Sequence, residues 1–161
     1  ADYGGGIANY TSNPTLSNGT FSGNTAEWGG GGMYNYINSS PTITNVTFIS
    51  NTAITYYGGG MLNNGSSPTL ANCAFHGNSA HGGGGVMYNN DSSPTLTNCT
   101  FTGNSAAGSG GAVWYADSMS IEIRGCYFVD NSAVLTGGAA WAGEAVSANV
   151  LDCIFAANSA R

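Results

Sequence analysis

Apolar and polar positions follow one long, fixed period along this chain. A phenylalanine followed three residues later by an asparagine occurs at Phe21/Asn24, Phe48/Asn51, Phe75/Asn78, Phe101/Asn104, Phe128/Asn131 and Phe155/Asn158, at successive spacings of 27, 27, 26, 27 and 27. Five residues before each Phe stands a branched aliphatic: Leu16, Ile43, Leu70, Leu96, Ile123 and Val150. Further upstream a glycine run closes on a mostly apolar residue, reading GGGI, GGGM, GGGM, GGVM, GGAV and GGAA, with Ile7, Met33, Met61, Met87, Val113 and Ala140 at the ends. A repeat of this length defines the architecture before any single element does. The units show no 3.6-residue stripe; they carry glycines and Thr-rich segments, and four of the six contain a proline, which excludes helical repeats. Short strands separated by Gly, Asn, Ser and Pro turns, repeated in phase, predict an all-β fold: one parallel β-solenoid domain over residues 1–161, with six coils of 26–27 residues. Three short strands per coil are expected, around the glycine run, around the Pro-Thr-Leu-Ser segment and around the Asn-x-Thr-Phe segment.

Stacked coils lie about 4.8 Å apart, so equivalent residues form columns along a rod roughly 29 Å long. The Phe and aliphatic columns are expected to face inward. The glycines are expected at a corner, where φ is positive or the backbone approaches too closely for a Cβ. Two asparagine columns are expected inside as hydrogen-bonded ladders. One runs from Asn24 to Asn158; the other is Asn18, Asn45, Asn72 and Asn98, giving way to Gly125 and Asp152.

The glycine-run motif and Phe-x-x-Asn, alternating through all six periods, resemble the repeat of the polymorphic outer membrane protein family. The resemblance implies a right-handed parallel β-helix, displayed on a cell surface in the manner of autotransporter passengers.

Composition removes several classes of function. Charged residues make up 6% of the chain, lysine is absent, Arg124 and Arg161 are the strong cations, and the net charge is -6. Such a surface cannot neutralise phosphates, so nucleic acid is excluded as a partner. No run approaches the roughly 18 apolar residues of a membrane span, and no membrane insertion is expected.

Candidate chemistry is thin. Cys73, Cys99, Cys126 and Cys153 each stand two residues before the Phe, a place held by Gly19 and Val46 in the first two coils. A straight column with parallel side chains suits neither a tetrahedral metal site nor good disulfide geometry, so buried free thiols are expected. His76 and His81 read as surface residues remote from that column. Asp91, Asp117 and Glu144 occupy similar turns in three consecutive coils, and their stacking would offer the carboxylate separations of a polysaccharide-cleaving enzyme. Without cations to hold an acidic polymer, they read as solvated turns. Thr15, Thr42, Thr69 and Thr95, with Ser17, Thr44 and Thr97, form an outward Thr face resembling that of ice-binding solenoids, interrupted by Glu122 and Arg124. The chain is therefore expected to be non-enzymatic, with no cofactor and no metal.

No polar cap is evident at either end, and placing one copy after another restores a 27-residue step from Phe155 to the next Phe21. The expectation is head-to-tail homopolymerisation into an extracellular filament or surface stalk. An adhesin passenger binding a ligand through its faces is the alternative, followed by ice binding and polysaccharide cleavage. Seven Asn-x-Ser/Thr sequons suit a glycosylated exterior. Of these, Asn18, Asn45 and Asn98 are expected to be inward, and Asn38, Asn64 and Asn90 to form the accessible column.

Overall fold

The computed structural model describes residues 1–117, 120–144 and 146–161. Its 24 strands form four six-stranded sheets, all parallel, each taking one strand from every coil. The second coil shows the plan: Met33–Tyr36 in sheet 1, Thr42–Thr44 in sheet 2, Thr47–Ile49 in sheet 3 and Thr52–Ala53 in sheet 4. The coil thus has four strands rather than the three expected. The additional one is a two-residue Thr/Ser-Ala strand after Phe-x-x-Asn, and only its alanine faces the core. Two residues give no periodic signal. The alanines at 26, 53, 80, 106 and 133 are nevertheless buried and lie in register.

Between sheets the chain turns on residues with positive φ, and these recur at fixed places. The first glycine of each run, Gly4, Gly30, Gly58, Gly84, Gly110 and Gly137, has φ between 60° and 66°. The next glycine is forced by space: a Cβ on Gly31 would lie 2.4 Å from the Gly59 carbonyl oxygen of the next coil. A second left-handed position precedes the recurring Asn of Phe-x-x-Asn and holds Gly23, Ser50, Gly77, Gly103, Asp130 and Ala157. The third is the column Asn18, Asn45, Asn72, Asn98, Gly125 and Asp152, at φ 53–60°.

That third column corrects the expectation that these asparagines point inward. Asn18, Asn45 and Asn98 are exposed, and one side-chain bond, Asn45 Nδ2 to Asn18 Oδ1 at 3.2 Å, links the first two. Asn, Gly and Asp share tolerance of the left-handed region, which is why they alternate here.

The Asn24-to-Asn158 column is internal. Each Oδ1 from Asn51 to Asn158 accepts both the backbone N–H and the side-chain amide of the preceding column member, at 2.9–3.1 Å. From Asn51 onward each Nδ2 also donates to the carbonyl of the Phe one coil back, as Asn104 does to Phe75. Beside it the six Phe rings stack at 4.6–4.9 Å with interplanar angles of 15° or less. Phe48, Phe75, Phe101 and Phe128 are fully buried, each contributing about 2–3 kcal/mol of apolar transfer free energy.

Candidate functional site

Sheet 1 carries a second internal ladder that sequence reasoning missed. Asn9, Asn35, Asn63 and Asn89 are buried and bonded amide to amide at 2.7–2.8 Å, and Asn89 Nδ2 donates to the Trp114 carbonyl. Its signal is an Asn two residues after Ile7, Met33, Met61 and Met87. In the fifth coil Tyr115 takes the place; it is fully buried, and its hydroxyl has no hydrogen-bond partner among the described residues.

The cysteines do form an inward column, and all four are free. The structure also gives them a task. Each thiol donates to the carbonyl two residues earlier, at 3.1–3.4 Å, closing the tight turn whose middle residue has positive φ. Cys126 and Cys153 sulfurs in turn accept the backbone N–H of Cys99 and Cys126. Hydrogen bonds with Cys126 and Cys73, together with burial, push the Cys99 thiol up and hold it protonated.

His76 and His81 are exposed, as are Asp91, Asp117 and Glu144. Asp91 and Asp117 follow sheet-1 strands at φ 46° and 43°, the position that holds Thr11, Ile37 and Gly65 in the earlier coils. Tolerance of that conformation accounts for them. Among the described residues no three His, Cys, Asp or Glu side chains converge on a metal-sized site. On the outer face of sheet 2, Glu122 and Arg124 interrupt the Thr array as an ion pair of 2.7 Å, and the Arg124 hydrogen bond holds the Glu122 carboxyl below its usual range.

The three sequons expected as one accessible column are not equivalent. Asn38 is exposed at φ 57°, in the turn beyond its strand. Asn64 and Asn90 are half-buried strand residues in register with Tyr36, and Asn90 Nδ2 donates to Asn64 Oδ1 at 3.4 Å. Both line a cleft.

That cleft is concave and lies outside the core. Its volume is about 320 Å³, and it opens on the outer face of sheet 1. Tyr3 stacks on Tyr34 with centroids 4.5 Å apart at 19°, and Trp28 meets Tyr3 edge-on at 5.3 Å. Tyr57 stacks on Tyr88 at 4.2 Å and 15°, and Trp114 meets both edge-on. Tyr56, stacked on Tyr57, Leu62 and the Asn64 and Asn90 amides complete the lining, which contains no charged side chain. Burial first, then the neighbouring tyrosines, pushes Tyr34 and Tyr88 up to about 12, so both hydroxyls stay protonated through the physiological range. A larger but shallow trough of about 640 Å³ follows sheet 4 and is lined mostly by Ser, Thr and Ala, with His81 and Arg161.

Four parallel sheets wound as successive coils, with internal Phe and Asn columns, define a β-solenoid repeat protein. The chain belongs to the family described as the right-handed β-helix region, which it matches over residues 2–155. No curated protein and no solved structure matches it.

Proposed function

We propose that the chain is a structural subunit of an extracellular filament or cell-surface stalk, extended by a second copy continuing its β-helix coil upon coil. The observation that supports this reading is that the Phe and Asn columns run in unbroken parallel register through all six coils, so that each coil's two edges are complementary to those of its neighbours. The parallel register that joins each internal pair of coils would join one copy to the next, a head-to-tail contact that propagates. Such an interface is a cut through a core, hence apolar, obligate and resistant to salt. A scarcity of charge and the exposed sequons at Asn18, Asn38, Asn45 and Asn98 suit a glycosylated exterior. So does the surface display implied by the repeat motifs. The reading is non-enzymatic, because exposed turn carboxylates with no basic neighbours lack the means to hold an acidic polymer.

Electron microscopy and sedimentation of the purified chain test it. Long thin fibres are expected. Ile7→Arg at one end and Ile154→Arg at the other should yield discrete rods with unchanged β circular dichroism. A wild-type chain that stays monomeric at high concentration would overturn the proposal. The aromatic cleft favours a second reading, in which the rod also holds a ligand.

A further inference from the structure

The straight column of thiols that is wrong for zinc has the geometry that a different class of metal prefers. Cys73, Cys99, Cys126 and Cys153 succeed one another in the parallel ladder, and Cys73, Cys99 and Cys126 each accept, at 2.9 Å, the backbone N–H of the residue after the next cysteine. Their side chains share one orientation. Every sulfur lies 3.1–3.4 Å from the carbonyl oxygen two residues earlier and 3.6–3.9 Å from that of the aliphatic residue one coil back. Sulfurs placed alike in successive coils repeat at the coil spacing of about 4.8 Å. An S–S bond of about 2.05 Å would require both side chains to turn. Two metal–sulfur bonds in line fit without turning: at about 2.3 Å each, the length of a zinc–thiolate bond, they span ~4.6 Å. Cu(I) and Ag(I), with filled d shells, bind sulfur at comparable lengths and take two thiolates in a straight line. Soft sulfur ligands also select such ions over harder ones.

The middle pair is the best prepared. Cys99 and Cys126 are fully buried in the apolar core beside Leu96, Ile123, Phe101 and Phe128. Among the described residues no three His, Cys, Asp or Glu side chains converge, so the pair offers two soft donors in line and no tetrahedron. Binding is balanced as follows: each thiol gives up its proton to solvent, each sulfur forms one bond to the ion, and a monovalent cation leaves a negatively charged S–metal–S bridge. Donors to that charge are in place. Cys126 Sγ already accepts the Cys99 backbone N–H at 3.3 Å. The buried Tyr115 hydroxyl, which has no hydrogen-bond partner among the described residues, is close enough to Cys126 and Cys99 for charge on either to act on it.

We propose that the gap between Cys99 and Cys126 is a linear two-thiolate site for a soft monovalent cation, Cu(I) or Ag(I). The site does not depend on filament assembly.

Two double variants with equal numbers of thiols test it. Valine is the replacement, since Val46 fills the same column at 1% exposure. Cys73→Val with Cys153→Val keeps the adjacent pair, whereas Cys99→Val with Cys153→Val keeps Cys73 and Cys126, two coils or ~9.6 Å apart. Ag(I), which is stable in air, would be supplied in chloride-free buffer to the folded chains and also during refolding from urea, so that burial does not hide the site. The adjacent pair should take up one ion, release two protons and show two sulfur neighbours by X-ray absorption. Against competing N-acetylcysteine it should retain the ion about a hundredfold better than the separated pair, because its second thiolate binds intramolecularly. Should a double variant not fold, the absorption spectrum of the wild-type chain decides, two sulfurs per ion supporting the site and three or four overturning it. The proposal is also overturned if the two folded variants retain Ag(I) equally, or if the adjacent pair takes up no ion by either route.

Discussion

At the residue scale, each column position has one physical requirement, and the residue types that meet it are few. Asn104 is fully buried and uses all of its amide: Oδ1 accepts from the Asn78 backbone and side chain, and Nδ2 donates to Phe75 O and Asn131 Oδ1. Asn104→Ala strands several of these partners away from water, and a loss of about 3 kcal/mol is expected in denaturant unfolding. Exposed Thr69→Ala, on sheet 2, should cost within about 0.5 kcal/mol. A similar loss at both sites would refute the ladder's energetic role. Ile37 illustrates the opposite case, a residue poorly suited to its position. It is β-branched and exposed at φ 47°, where the fourth and fifth coils have Asp91 and Asp117 and the third has Gly65. Ile37→Asn should therefore stabilise the fold by about 1 kcal/mol, visible as a higher Tm.

At the element scale, the strands are too short to stand alone, most having two to four residues, and each acquires stability from its neighbours in the coils above and below. Sheet 1 is distinctive because it carries an amide ladder inside and an aromatic array outside. The outer array ties tyrosine ionisation to folding. Tyr34 and Tyr88 are raised to about 12 when folded, against the ordinary value of 10.0 when unfolded. Between those limits the unfolded chain releases protons that the folded chain retains, so the unfolded state binds fewer protons and stability falls with rising pH. The contribution is intact below about pH 10 and is lost as pH rises through about 12. Ultraviolet titration should show tyrosines that ionise late and together with unfolding. Tyr34→Phe with Tyr88→Phe should remove that late component; its persistence would place the shifted groups elsewhere.

At the scale of the whole molecule, the rod is held by packing and hydrogen bonds, with little contribution from charge. Arg124–Glu122 is the one ion pair among the described residues, and it is on the surface. Raising sodium chloride from about 0.05 M to about 1 M should shift the Tm by no more than about 2 °C, because screening has little to act on. A large destabilisation by salt would reveal an electrostatic term that the fold does not show.

The repeat made much of this architecture legible in one dimension. In a parallel solenoid every coil puts the same position into the same environment, so Phe48 to Phe128, the Asn51-to-Asn131 ladder and the glycine corners could be read from period alone. What period could not supply was direction. Asn98 and Asn104 recur with the same spacing, yet one sits exposed at φ 53° and the other is buried, because a left-handed turn between strands reverses which way the chain faces. The fourth sheet was hidden by its brevity, since one inward alanine per coil carries almost no hydrophobic signal. The aromatic cleft was hidden for a different reason. Its residues break the repeat, with Gly29 between Tyr3 and Tyr57 and Leu62 between Tyr34 and Tyr88, and only coil stacking brings rings from four successive coils to one cleft. Sequence alone therefore determined the columns, because neighbouring coils share their chemistry. Tertiary structure decided which columns face solvent and what their irregularities enclose, because those depend on backbone turns and on contacts between coils.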